Sequence, residues 1–251
     1  MKKLENKVAV ITGASKGIGA SIAEYFGAEG ARVIVNYVSD KNGADKVVQA
    51  ITDKGGSAIA VQADVSQQAD VKRLFEETEK AFGGLDILVN NAGIYEYQPI
   101  ETFSTDSFHA QFNLNVLGSL LTIQESVRLF GNKGGTIINI SSEAAKTPLP
   151  TGSVYSATKA ALDAITIALS KEFIGRNIRI NSILPGIVET EGSRAAGFIG
   201  SEAEAKFVAT TSLGRTGKPE DIAKVAVFLT SDDAGWITGE KISVSGGIFG
   251  L

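Results

Sequence analysis

Thr12-Gly13-Ala14-Ser15-Lys16-Gly17-Ile18-Gly19 lies between a β-branched run, Val8–Thr12, and a helical stretch, Gly17–Glu29. A glycine-rich turn in that position, after a first strand and opening a first helix, is the context in which backbone cradles a diphosphate. Gly13 permits the sharp turn, Gly17 lets backbone approach the phosphates, and Gly19 allows the helix to pack closely. The helix N-terminus adds free N–H groups and a partial positive charge. The alternative is a tight turn needed only for packing. A Walker-type phosphate loop is a poor match, because no Gly-Lys-Ser/Thr ends the turn. The turn therefore reads as a dinucleotide site, with Ser15, Lys16 and Ile18 beside the three glycines.

Outward from this turn the pattern repeats without a break. Short apolar runs recur at Arg32–Tyr37, Ala58–Ala63, Asp86–Asn90, Thr136–Ser141, Ile178–Leu184 and Lys241–Val244. Most are nearly continuous in apolar residues, as in strands buried on both faces. Between them lie helical stretches at Asn42–Lys54, Gln67–Phe82, Ser104–Leu129, Val154–Phe173 and Pro219–Leu229, the last opening with proline at a first helical position. Seven strands alternating with six helices predict an α/β, Rossmann-type, doubly wound parallel sheet with helices on both faces. No linker or repeat divides the chain, so one domain is expected over residues 1–251. Ligands of such sheets bind at the carboxyl ends of the strands.

Composition narrows the chemistry. The chain has 251 residues, 24 Lys plus Arg against 28 Asp plus Glu, and a net charge of −4, which argues against a nucleic-acid partner. There is no cysteine and one histidine, so disulfides, thiolate chemistry and a zinc site built from several histidines are excluded, and no metal is expected. No stretch approaches the ~18 apolar residues of a membrane span, and no signal-peptide core follows the basic start. A cytoplasmic protein with no membrane partner is expected.

Chemistry-bearing residues gather at the predicted strand ends. Tyr155 and Lys159 in Tyr155-Ser156-Ala157-Thr158-Lys159 stand four apart on one helix face. A nearby ammonium favours a phenolate and is expected to lower the tyrosine pKa from ~10. Ser142 follows the Thr136–Ser141 run, and Asn115 lies in the long helical stretch before it. Asp64, Asn91-Ala92-Gly93 and Pro185-Gly186-Ile187-Val188-Glu189-Thr190 each follow a strand. Singly these have plain alternatives: an Asx turn at Asp64, turn chemistry at Asn91 and Gly93, a chain break at Pro185-Gly186, a structural amide at Asn115. Together they fall at successive strand ends of one sheet.

In order and spacing, this set resembles the short-chain dehydrogenase/reductase family over essentially the whole chain. The resemblance implies that Tyr155 is the general acid/base between a ketone and an alcohol. Lys159 would tune it and hold the nicotinamide ribose, Ser142 would hydrogen-bond the reacting oxygen, and Asn115 would fix a water in a proton relay. It also implies adenine contacts at Asp64 and Val65, ribose contacts at Asn91, Ala92 and Gly93, and nicotinamide contacts at Pro185, Gly186, Val188 and Thr190. A homotetramer is implied as well, with Ser245 standing where the family often has Asp.

NAD-preferring folds usually end the second strand with an acid. Here it ends Val35-Asn36-Tyr37-Val38-Ser39, with Asp40 beyond. With Tyr37 and Ser39 at the strand end and Lys16 in the turn, NADP(H) is expected over NAD(H). The substrate is expected to be a small carbonyl or alcohol. The chain looks most like 3-oxoacyl-carrier-protein reductases, with Lys133 and Arg176 where such enzymes meet an acyl carrier protein. Sugar or small-alcohol dehydrogenases of the same family, and a non-catalytic dinucleotide-binding regulator, are the alternatives. Residues 191–213, with Phe198, Ile199 and Phe207, read as an apolar lid over the substrate, and Tyr95, Tyr97 and Leu149 as further pocket lining. His109 reads as structural or exposed, and Trp236 as core or interface.

Overall fold

A computed structural model describes residues 2–247. Residue 1 and residues 248–251 of the expected unit lie outside the described residues. Seven strands are formed: β1 (Val8–Ile11), β2 (Arg32–Tyr37), β3 (Ser57–Gln62), β4 (Ile87–Asn90), β5 (Gly135–Ile140), β6 (Ile178–Pro185) and β7 (Lys241–Val244). All pair in parallel, in the order β3-β2-β1-β4-β5-β6-β7. The expected runs therefore become strands with their ends shifted by at most one residue.

The chain first winds outward through β1, β2 and β3, then returns to the other side of β1 at β4. This reversal splits the loops leaving β1 and β4 and opens a crevice at their carboxyl ends. Alternation within the strands divides the core. Ala9 and Ile11 of β1 face one layer with Ile22 and Phe26, while Val8 and Val10 face the other with Leu74 and Phe75. The first layer belongs to α1 (Gly17–Ala28), α2 (Lys41–Thr52) and α9 (Pro219–Thr230). The second belongs to α3 (Gln68–Phe82), α5 (Gly118–Phe130) and α6 (Ser153–Glu172).

One expected element is divided. The stretch Ser104–Leu129 is not a single helix but α4 (Thr105–Phe112), a π-helical segment (Asn113–Leu117) and α5. Periodicity alone does not reveal the wider turn, because it is held by tertiary contacts. The Asn115 side chain bonds both backbone groups of Ile94, and Gly118 lies so close to Val65 that a Cβ there would sit 3.1 Å from the Val65 carbonyl oxygen. After β6 the chain forms two short helices, α7 (Glu191–Ala195) and α8 (Glu202–Thr210).

Asn36 ties the edge of the sheet to the glycine-rich turn. It is fully buried on β2, and its amide donates to the carbonyls of Ala63 (3.0 Å) and Val61 (3.3 Å). Its Oδ1 accepts from Gly13 N (3.2 Å), and its own carbonyl accepts from Ala14 N (2.8 Å). Replacing it with leucine leaves a buried N–H and two carbonyls without these partners. Asn36→Leu is therefore expected to lower the unfolding free energy by about 2 kcal/mol, read from the urea midpoint. An unchanged midpoint would show that the turn is held without it.

Candidate active site

The crevice floor is a clamp between the first and fourth strand ends. Thr12 Oγ1 accepts from the backbone N–H of Asn91 (3.0 Å) and Ala92 (2.9 Å). The Asn91 amide in turn donates to the carbonyls of Thr12 and Gly13, both at 2.9 Å. Asn91, expected at a ribose, thus has both amide hydrogens engaged by the protein. Thr12 was not singled out from the sequence as a site residue; its hydroxyl at a strand end was the available signal.

The glycine turn fits a diphosphate in its shape. Gly13 has φ +60° and Gly17 φ +61°, where a side chain is strained. A Cβ on Gly13 would lie 2.9 Å from Ala92 Cα. Gly19 is small for another reason than helix packing: a Cβ there would lie 2.6 Å from the Gly13 carbonyl oxygen and press on the Asn91 amide. No side chain caps α1 at Lys16, so the helix N-terminus is left available to an anion. Thr190 closes over this turn, with Cγ2 3.5 Å from where a Cβ on Gly17 would stand.

Across the crevice lies the Tyr–Lys face of α6. The cavity here has a volume of about 590 Å³. Its walls bring together Ile18, Asn91, Gly93, Ser142, Tyr155, Lys159, Pro185, Gly186, Val188 and Thr190 of the expected set. Lys159 is buried, donates to the Ile140 carbonyl (2.9 Å), and has its Nζ 5.9 Å from the centre of the Tyr155 ring. Gly93 sits between groups: a Cβ there would be 3.2 Å from Asn115 Oδ1 and 3.5 Å from Lys159 Nζ.

The electrostatics correct one expectation. Burial pushes Tyr155 up to about 12, a rise that the neighbouring Ser142 hydroxyl opposes and Tyr97 and Tyr95 reinforce. Burial also pushes Lys159 down to about 8, against the pull of the Asp163 carboxylate one turn along α6. Desolvation is thus the largest influence on Tyr155, which favours the phenol over the phenolate at neutral pH. Asp163 itself is raised by burial, opposed by the neighbouring Ser141 and Ser182 hydroxyls.

Asn115 is buried within the π-helical segment, and its side chain is fully engaged. Oδ1 accepts from Ile94 N (2.9 Å), and Nδ2 donates to Ile94 O (2.9 Å) and Thr158 Oγ1 (3.0 Å). It fixes the loop that carries Tyr95 and Tyr97 against α6. Neither Ile94 nor Thr158 was picked out in the sequence, since both act through contacts distant along the chain.

The remaining predicted residues lie along the outer strand ends. Tyr37 is buried at the end of β2, and Ser39 and Lys16 are exposed. Asp40 caps α2, its Oδ1 accepting from Gly43 N (2.9 Å), and Ser15 lies against the same first turn. Asp64 makes the Asx turn, accepting from Ser66 N (2.9 Å) and Ser66 Oγ (2.7 Å), and Val65 is buried next to Gly118. Of the lid residues, Phe198 and Phe207 line the cavity, as do Tyr95, Tyr97 and Leu149. His109 is exposed on α4. Trp236 is not core, being wholly exposed. Lys133 pairs with Asp86 (3.0 Å), and the Arg176 guanidinium lies over the Phe173 ring.

Residues 13–248 match a family model described as enoyl-(acyl carrier protein) reductase. An uncharacterized oxidoreductase of Methylorubrum extorquens is 54% identical over 248 residues, covering 99% of this chain and 100% of that one. A short-chain dehydrogenase from Burkholderia cenocepacia in complex with NADP superposes with a TM-score of 0.91 at 33% identity, covering 98% of this chain and 99% of that one. A 7α-hydroxysteroid dehydrogenase complexed with NADH and 7-oxo glycochenodeoxycholic acid superposes at 0.95 with 34% identity, covering 99% of this chain and 96% of that one.

The buried lysine makes stability depend on pH in a defined direction. Its pKa is near 8 folded against 10.5 unfolded, so between those values the unfolded chain binds the extra proton and the folded state gains as pH rises. Lys159→Met removes this titration. Its stability advantage over the parent is expected to be largest below pH 8 and to shrink by on the order of 3 kcal/mol by pH 10.5. Urea unfolding of the cofactor-free proteins across that range measures it; a difference flat in pH would refute the assignment.

Proposed function

The chain belongs to the short-chain dehydrogenase/reductase family, and we propose that within it the protein is an NADP(H)-dependent carbonyl reductase. It is an oxidoreductase acting between alcohols and carbonyls with a nicotinamide dinucleotide. The observation that carries the finer reading is the placement of Tyr155 beside Ser142 and Lys159, facing the glycine turn across one cavity.

The cradle of Gly13, Gly17 and Gly19 fits the diphosphate of such a cofactor, and the proposed holders of its nicotinamide end are Lys159, Pro185, Gly186, Val188 and Thr190. When bound, the cofactor supplies the hydride. Tyr155 gives its phenolic proton to the carbonyl oxygen as negative charge develops there, and a general acid of this kind contributes ~10²–10⁴ in rate. Ser142, beside the phenol in the cavity wall, donates to the same oxygen and stabilises that charge. Lys159, anchored on the Ile140 carbonyl, keeps a cation beside the phenol and so eases loss of its proton. Asn115 acts on this reading as a positioning residue. The apolar walls exclude water from the reacting centre.

NADP(H) is favoured by the end of β2. The one carboxylate following that strand, Asp40, is engaged at the α2 N-terminus, while Lys16 is exposed beside the turn. A 2′-phosphate there meets a cation and no free acid. The neighbours include both NADP and NADH complexes, so the preference rests on these side chains. The acyl-carrier-protein reading is weaker, because the charge of Lys133 is already paired with Asp86. A broad ketone reductase is the better description. The fully exposed Trp236, with Leu213 and Phe228 also exposed, is in keeping with a subunit contact, as the homotetramer expected from the family would need.

Loss of NADPH absorbance with a panel of ketones tests the activity. Tyr155→Phe is expected to lower kcat by at least ~10²-fold with little change in KM. No turnover on any carbonyl would favour a non-catalytic dinucleotide-binding regulator. Separately, Lys16→Glu is expected to raise KM for NADPH by about tenfold or more while moving KM for NADH far less. Equal effects on both cofactors would remove the NADP(H) assignment.

A further inference from the structure

Three tyrosine rings meet at the reacting centre. The centroids of Tyr95 and Tyr97 are 6.1 Å apart, and each stands 6.1 and 6.0 Å respectively from that of Tyr155. The rings are mutually tilted by 54° to 67°, so they form a corner of faces and edges rather than a stack. A glycine allows this. Tyr97 lies on Gly152, at the start of α6, so closely that a Cβ there would stand 2.9 Å from Tyr97 Cε1. The Tyr95 hydroxyl reaches across to α7, at ordinary contact distance from Gly192. Phe198 and Phe207 line the same cavity from the lid side, so aromatic rings face it from two separate segments.

We infer that Tyr95 and Tyr97, the latter seated on Gly152, form a slot that selects planar, fused-ring ketones over open-chain ones. The inference rests on the carbonyl-reductase reading above and adds its substrate class. A ketone whose oxygen reaches Tyr155 must lay its flank against these two rings. A rigid flat ligand gains a face contact on one ring and an edge contact on the other, and has few rotors to freeze. An open chain meets the same rings with fewer simultaneous contacts and loses rotational freedom on entry. A sugar would need several converging polar groups, whereas the cavity walls here are mostly apolar.

The test compares 1-indanone, an essentially flat fused-ring ketone, with methyl heptyl ketone, an open chain of equal carbon number. The wild type is expected to prefer 1-indanone by about tenfold or more in kcat/KM. Tyr95→Leu and Tyr97→Leu should each reduce that ratio several-fold, while Tyr97→Phe, which keeps the ring, should retain it. Binding of the unreactive, flat β-naphthol, measured by calorimetry, gives a readout independent of turnover and should weaken in both leucine variants. Turnover of both ketones at similar kcat/KM, or a ratio unmoved by the leucine variants, overturns the slot and leaves the reductase reading standing. β-Naphthol binding that weakens in the leucine variants, with no oxidation of NADPH by either ketone, supports the slot and overturns the reductase reading. Unaltered circular dichroism establishes that the variants are folded.

Discussion

The fold turns on the reversal of strand order between β1 and β4, and on the clamp that holds it. Parallel strands place all their carboxyl ends on one side. Where the winding reverses, two loops leave in opposite directions and a crevice must form between them. Thr12 and Asn91 bridge that crevice at its base through four hydrogen bonds of 2.9 to 3.0 Å. Everything chemical is hung on this base. The glycine turn follows Thr12, the Gly93 backbone follows Asn91, and Asn36 braces the turn from the far side.

The same tightness sets the chemistry. Gly13, Gly19 and Gly93 lie where a single added carbon would strike backbone or crowd the functional amides and ammonium. Packing buries Lys159 and half-buries Tyr155, and desolvation disfavours the charged form of each. A phenol kept protonated beside a cation is a proton donor with a ready means of stabilising its anion. Proximity in sequence suggested attraction between the pair, but burial is the largest cause of the shift of each.

Asn115 shows how a side chain can serve the site at one remove. Its amide bonds the Ile94 backbone and Thr158, and so joins the loop after β4 to the helix of Tyr155. The π-helical turn that makes this reach possible interrupts what would otherwise be one long amphipathic helix. The loop it fixes carries Tyr95 and Tyr97, so the amide also sets the shape of the pocket beside the phenol.

Local pattern alone determined the strand–helix alternation, the glycine turn, the strand-end placement of Ser142 and the shared helix face of Tyr155 and Lys159. Those features follow from residue spacing along the backbone, as in the continuous apolar run Arg32–Tyr37 or the four-residue step between Tyr155 and Lys159. What the chain alone did not disclose depends on neighbours distant in sequence. The engagement of the Asn91 amide by Thr12 and Gly13, the π-helical turn at Asn115, the exposure of Trp236 and the seating of Tyr97 on Gly152 are of this kind. So is the upward shift of Tyr155, because desolvation depends on what packs around a group, and only the assembled fold specifies that.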